Sequence, residues 1–329
     1  MSPPSRPVAA LALAVAIAAL TGACQQSGSP GSPDAFKVAL LTPGPISDGG
    51  WNASAYDGLM LIKKQLAAEV SNVQTANPAE FEQGFRDYAR QGYDLVIGHG
   101  FEYQDAALKV GAEYPETDFV VSSGSVFAKN VASLTFHLDE ATYLAGIVAA
   151  SMSKTGKAGC VGGIKLPVIL STFDGFVAGA KSVKPDFSVA TVYIGSFEDV
   201  AAAKAATDAL VAQGADFVLH NADAAALGVF QSAKEHGIYA FGTNRDQNDI
   251  APETVLASAT IDIPRSFLQL AREAKDHAFV GRVVAQGLAS GCVGFVWNQR
   301  LKDRVPPEVQ ARVEQADAGI RSGAVKVRP

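Results

Sequence analysis

Val38-Ala39-Leu40-Leu41-Thr42-Pro43-Gly44-Pro45-Ile46-Ser47-Asp48-Gly49-Gly50-Trp51-Asn52 is the stretch from which the fold can be read. The apolar run over 38–41 is short and unbroken, as in a strand buried on both faces. A helical pattern starts just after the stretch, at Ala53. Open α/β sheets place small ligands where strand, glycine-bearing loop and helix N-terminus follow in that order. The strand's carboxyl end and unpaired helix amides converge there. The loop also brings a carboxylate, an indole and a carboxamide, so it predicts one wall of a small-molecule pocket.

Outward from this segment, short β-rich runs alternate with amphipathic helical stretches, the grammar of parallel sheets covered on both faces. Strands are expected over 37–41, 72–75, 95–98, 119–122 and 134–137. Helices are expected over 52–69, 78–91 and 103–114. The same grammar restarts with helices over 140–153, 173–183, 200–213 and 224–236, and strands over 158–161, 189–194, 216–220 and 239–242. The tail adds strands over 255–261 and 292–297, a helix from Pro264 and a closing helix from Pro307. Two consecutive α/β sets of similar size imply two similar lobes with a pocket between them. No sequence repeat underlies this symmetry, which rests on the order of elements alone. Lobe I is expected over 36–137 with 262–288, and lobe II over 138–261 with 289–329.

The 329 residues suffice for two cores, and 48% hydrophobic content suits a globular chain. A net charge of -6 without a basic cluster argues against a nucleic-acid partner, which needs a positive face for phosphates. Residues 1–24 read as an address: Arg6 supplies a sparse positive region, and the apolar run from Val8 to Leu20 is too short to span a bilayer comfortably. The run ends in Leu20-Thr21-Gly22-Ala23-Cys24, which resembles a bacterial lipobox with Thr21 where leucine is usual. Cys24 is therefore the expected lipidation site, and 25–35, rich in Ser, Gly and Pro, the expected tether. The expected location is the outer face of a membrane, by lipid anchor. Cys160 and Cys292 lie in strand-like apolar runs, where a disulfide and buried free thiols are both open readings.

Ligand-facing groups of a doubly wound domain follow its strands. The first strand is followed by Asp48, Trp51 and Asn52, with Tyr56 on the helix beyond. His99 and Phe101 follow the third. In the second half the candidates are Asn221, Asp223, Asn244 and Asp246, and Asp262 closes the late strand. Aromatics, carboxylates and amides with few cations suit a planar, uncharged, hydrogen-bonding ligand, whereas phosphate would want Arg and Lys. Each residue also has a plainer reading. Asn52 is equally a helix cap, Trp51 and Phe101 core aromatics, His99 and His220 bonded strand-end histidines, and Asp223 and Asp246 turn or cap residues.

Catalytic signatures are missing from the sequence. There is no G-x-x-x-x-G-K-[ST], no G-x-G-x-x-G after a strand, no H-E-x-x-H and no G-x-S-x-G. The five histidines show no metal-ligand spacing. The residues read as a binder, without catalysis, cofactor or metal.

Several short motifs, in this order and spacing, carry a resemblance. They are Ile46-Ser47-Asp48-Gly49-Gly50-Trp51-Asn52 with Tyr56-Asp57-Gly58, then Gly98-His99-Gly100-Phe101 and Ala141-Thr142-Tyr143-Leu144-Ala145-Gly146. Val161-Gly162-Gly163 with Phe176 and Gly179, Gly214-Ala215-Asp216 and Gly242-Thr243-Asn244-Arg245-Asp246-Gln247 complete the set. Across nearly the whole chain past the tether, the sequence resembles the basic membrane protein family of bacterial ABC-transporter substrate-binding lipoproteins, which includes purine-nucleoside binders. The resemblance implies a type I periplasmic-binding fold that closes on its ligand, ABC permease subunits as partners, and a monomer. It also implies a purine held by Asp48, Asn52, Trp51 or Tyr56, and Phe101. Nucleoside-binding relatives usually have Asp where this chain has Asn244, and often Lys where it has Asp262, so a free base and a nucleoside both remain open. The alternatives are a ligand sensor that presents its closed form to a receptor, and a binder of a sugar-like or other small polar ligand.

Overall fold

The structure, a computed structural model, describes Met1 and residues 35–327. The expected leader, Cys24 and nearly all of the tether lie outside the described residues.

The chain runs β1 (Lys37–Thr42), α1 (Trp51–Leu66), β2 (Glu69–Gln74), α2 (Pro78–Arg90), β3 (Leu95–His99), α3 (Gln104–Glu113), β4 (Asp118–Ser122) and β5 (Val131–Phe136). It continues through α4 (Leu138–Met152), β6 (Lys157–Gly162), α5 (Pro167–Val183), β7 (Ser188–Tyr193), α6 (Val200–Ala212), β8 (Phe217–Asn221), α7 (Ala226–His236) and β9 (Tyr239–Asn244). Then follow β10 (Val255–Ile261), α8 (Ile263–Lys275), β11 (Val283–Gln286), β12 (Val293–Trp297) and α9 (Pro307–Arg321). One sheet has the order β11-β5-β4-β3-β1-β2 and the other β12-β10-β9-β8-β6-β7. Every pairing is parallel except β10 with β12. The first five strands of each sheet in chain order, β1–β5 and β6–β10, thus repeat one doubly wound order. β11 returns to the first sheet and β12 to the second, so the chain passes between the sheets three times.

β2 begins at Glu69, where the helix expected over 52–69 would run on, and two elements differ further from the sequence expectation. β11, of sequence Val-Val-Ala-Gln, has no counterpart in the predicted strands. It is an edge strand with exposed residues, so its apolar pattern is too brief to signal itself. α5 starts at Pro167, earlier than 173, because Pro pre-sets the first-turn backbone angle and needs no amide partner.

Alternation along β1 shows why its run is continuously apolar. Val38 and Leu40 face the core that α1 covers, while Ala39 and Leu41 face Phe81, Phe85 and Tyr103 on the other side. β3 divides in the same way, with Leu95 and Ile97 on one face and Val96 on the other. In the second sheet α6 and α7 cover one face through Ala203, Leu210, Val229 and Phe230. α4 and α5 lie backbone against backbone: a Cβ at Gly146 would run into the Phe176 carbonyl, and one at Gly179 into the Tyr143 carbonyl. Only glycine allows that approach. Asn77 caps α2 and Asp199 caps α6 through bonds to Glu80 N and Ala202 N. Cys160 and Cys292 are both buried free thiols, which closes the disulfide alternative. No helix among the described residues is long and apolar enough to cross a membrane.

Candidate functional site

A cavity of about 690 Å³ is lined from both halves of the chain at the carboxyl ends of the strands, where a doubly wound sheet offers its loops. Seven of the residues singled out from sequence line it: Asp48, Trp51, Asn52, Phe101, Asn221, Asp223 and Asn244.

Asp48 organises the entry to α1. Its Oδ1 accepts from Gly50 N and Ala53 N, both at 2.9 Å, and its Oδ2 from Asn52 N and Asn52 Nδ2, also at 2.9 Å. The carboxylate therefore satisfies first-turn amides that α1 cannot bond internally, and its charge suits the positive end of the helix. Because a carboxylate only accepts, it also orients Asn52 with the amide nitrogen towards Asp48. Asn52 Oδ1 is then left buried without a partner among the described residues. The capping assigned to Asn52 on sequence grounds is done by Asp48.

Trp51 is half-buried, and its indole stacks on His99 with ring centroids 4.1 Å apart and planes 24° apart. Phe136 meets it edge-on at 6.3 Å. His99 is fully buried and does not line the cavity. Its Nε2 donates to the Trp51 carbonyl at 3.0 Å, which fixes the tautomer, and Nδ1 accepts from Ser122 Oγ at 2.8 Å. Burial lowers the pKa of His99 to about 3, so the ring is neutral and serves as backing for the indole.

Across the cavity, Asn221 ends β8, and Asp223 and Asn244 adopt left-handed backbone conformations with φ of 46° and 67°. Asn244 Nδ2 donates to Asp223 Oδ1 at 3.2 Å and to Asn221 Oδ1 at 3.4 Å, and Asn221 Nδ2 donates to Thr172 Oγ1 at 3.2 Å. The Asp223 carboxyl also accepts from the Trp51 backbone N–H, so a group from the second sheet's side bonds the helix that opens the first. Enclosure in the cleft, then the Asp48 charge facing it, push Asp223 up to about 7.

Besides His99, three sequence candidates fall outside the lining. Tyr56 packs against the core, because five positions beyond Trp51 turn it about 140° round α1. Asp246 is exposed and accepts from Asn248 N at 3.0 Å in a tight turn. Its neighbour Gln247 turns inward instead, with Oε1 accepting from Thr243 N at 2.9 Å and His220 Nε2 at 2.8 Å. Burial lowers the pKa of that His220 to about 4. Asp262 is exposed and caps α8, accepting from Arg265 N at 3.0 Å.

Other lining residues escaped the sequence reading. Phe197 and Glu198 follow β7, and Ile164, Leu166 and Val168 lie between β6 and the first turn of α5. The strand-end rule that selected Asp48 applies equally after β6 and β7, so the signal was present there. Asp139, in the first turn of α4, follows β5 and carries the same signal. Among the described residues no lysine, arginine or histidine lines the cavity, and no cluster of metal-ligating side chains occurs.

Residues 35–326 match the family described as ABC transporter substrate-binding protein PnrA-like. An ABC transporter nucleoside-binding protein of Lactococcus lactis subsp. cremoris is 30% identical over 350 residues, covering 98% of each chain. A purine-binding protein of Brucella abortus is 28% identical over 299 residues, covering 90% of this chain and 84% of that one. A solved solute-binding protein of an ABC transporter system from Aeropyrum pernix K1 superposes with a TM-score of 0.81 at 23% identity, over 88% of this chain and 92% of that one. It shares the two-lobed type I periplasmic-binding fold. The chain belongs to the PnrA-like family of ABC transporter substrate-binding proteins, the basic membrane protein family.

Proposed function

We propose that this substrate-binding protein captures a purine-like ligand, nucleobase or nucleoside, outside the cytoplasm and delivers it to the permease subunits of an ABC importer. The observation that carries the reading is Trp51, an indole on the cavity lining whose one face is already backed by a neutral, doubly bonded His99. A planar ring stacks on the face that remains, and Phe101 and Phe197 supply further aromatic wall. The unpartnered Asn52 Oδ1 accepts from a ring or exocyclic N–H. Asn244 with Asp223 beside it offers hydroxyl partners for a ribose, a role in which Asp262 has no part. The names of the Lactococcus and Brucella relatives agree with this ligand class.

In this reading residues 36–137 with 262–288 and residues 138–261 with 289–329 move as two lobes. The ligand bridges them and stabilises the closed state that the permease recognises. Cys24 is lipidated and holds the protein at the membrane surface through the 25–35 tether. Replacing Cys24 by Ala then abolishes lipid labelling, and persistent labelling would sink the anchor.

Mass spectrometry of ligand carried through native purification, followed by melts against bases, nucleosides and sugars, tests the ligand class. Ligand at 100 times its Kd stabilises by about 2.7 kcal/mol. A melt that responds to a sugar or amino acid and not to any purine overturns the reading.

A further inference from the structure

The charge of the cleft is one-sided. Asp48, Glu102, Glu198 and Asp223 line it, and none of them has a lysine, arginine or histidine within ion-pair distance among the described residues. Asp139, also on the lining, sits 3.8 Å from His137. The charged side chain that acts on Asp223 is acidic, Asp48 at the α1 N-terminus, and Glu198, on the loop before α6, adds a further carboxylate to the same lining. The other neighbours of Asp223 are neutral, namely the Asn244 amide and the Trp51 N–H. A second, independent feature points the same way. Asn52 is 7% exposed, and its Oδ1 is an acceptor with no donor. Acceptors and negative charge are therefore in surplus at the lining, and what they lack is a donor or a cation.

Resting on the purine-like reading, we propose that the cleft prefers a ring that already carries positive charge over its neutral counterpart, and rejects phosphorylated forms. The carboxylates of Asp48 and Asp223, brought from the two sheets to one helix terminus, supply the counter-charge. A cation lowers the cost of ionising Asp223, which otherwise shares the site with the Asp48 charge. Binding such a ring then expels the Asp223 proton, so its affinity rises with pH up to the point where Asp223 is already ionised.

The test is calorimetric titration of the full chain with two isomers. One is adenosine methylated on a ring nitrogen, a cation near neutral pH; the other is adenosine methylated on the exocyclic amine, which is neutral. Adenosine and its monophosphate are included for comparison. The cationic isomer is expected to bind roughly tenfold tighter, with the advantage growing between about pH 5.5 and 7.5. Asp223→Asn should flatten that pH dependence and remove most of the preference. Glu198→Gln, at an exposed rim position, should reduce the preference to a lesser degree without touching the fold. The monophosphate should be the weakest ligand.

A neutral isomer that binds as well as or better than the cation overturns the inference while leaving the purine reading intact. A preference that survives both variants, or does not vary with pH, removes the carboxylates as its source and overturns the inference too. If no purine binds, the purine reading fails and the inference falls with it.

Discussion

Trp51 is held through its backbone as much as through its ring: its N–H goes to Asp223 and its carbonyl takes the His99 proton, while the indole lies on His99. Trp51→Ala is expected to weaken binding of the ligand by roughly 1–3 kcal/mol, measured by calorimetry. Unchanged affinity with a lowered melting point would return Trp51 to a core role. The histidine beneath it makes a separate prediction. Burial depresses His99 from 6.5 to about 3, so unfolding below about pH 6.5 takes up a proton that the folded state does not hold. Its stabilising contribution is complete above pH 6.5 and is lost as pH falls towards 3. The stability gap between wild type and His99→Gln should therefore narrow by about 1.4 kcal/mol per pH unit in that window. Denaturant titrations at several pH values measure it, and a gap constant with pH would mean that His99 is charged in the fold. Asp48, Trp51 and Asn52 could be singled out from sequence because a strand end, glycines and a helix start mark their place. The inward turn of Gln247 beside the outward Asp246 could not, since one residue of backbone rotation decides it.

At the level of elements, α4 and α5 pack at a distance set by glycine. The Gly146 and Gly179 positions face partner backbone, which cannot rotate away as a side chain can. Gly179→Ala should therefore cost at least the roughly 1–3 kcal/mol of an overpacked core, seen as a lower denaturant midpoint with unchanged slope. A midpoint within error of wild type would show that the helices part easily. The Tyr143-Leu144-Ala145-Gly146 motif thus has a packing cause: Gly146 lets the helix lie against the carbonyl of Phe176. Most helices and buried strands were legible because their apolar period survives in the sequence, as in α8 with its Ile263, Phe267, Leu270 and Ala271 stripe. β11 was not. Its pairing with β5 comes from the chain's return across the molecule, a tertiary cause with no local trace.

On the scale of the whole molecule, Arg245 after β9 reaches Asp57 on α1 at 3.0 Å, a second link between the two sides of the cleft. Both side chains are more than one-third exposed, so the pair is worth no more than about 1 kcal/mol. If it forms only when the lobes approach, Arg245→Ala and Asp57→Ala should each weaken ligand affinity by up to about that amount and barely move the ligand-free melting point. The double variant should be no weaker than either single one, since both remove the same contact. Additive losses would place the two residues in separate roles.

The α/β alternation, the two-set organisation, the lack of a basic face and one wall of the pocket could all be read along the chain. Each of these is written in local periodicity, composition or the residues that follow a strand. It took the packed fold to establish that Asp48 rather than Asn52 caps α1, that His99 backs the indole, and that Asp223 crosses the cleft to the helix start. That fold also placed Phe197 in the cavity wall and left Tyr56, Asp246 and Asp262 out of it. Those outcomes depend on which way a side chain points once two sheets, remote in sequence, meet at their carboxyl ends, and no local pattern encodes that meeting.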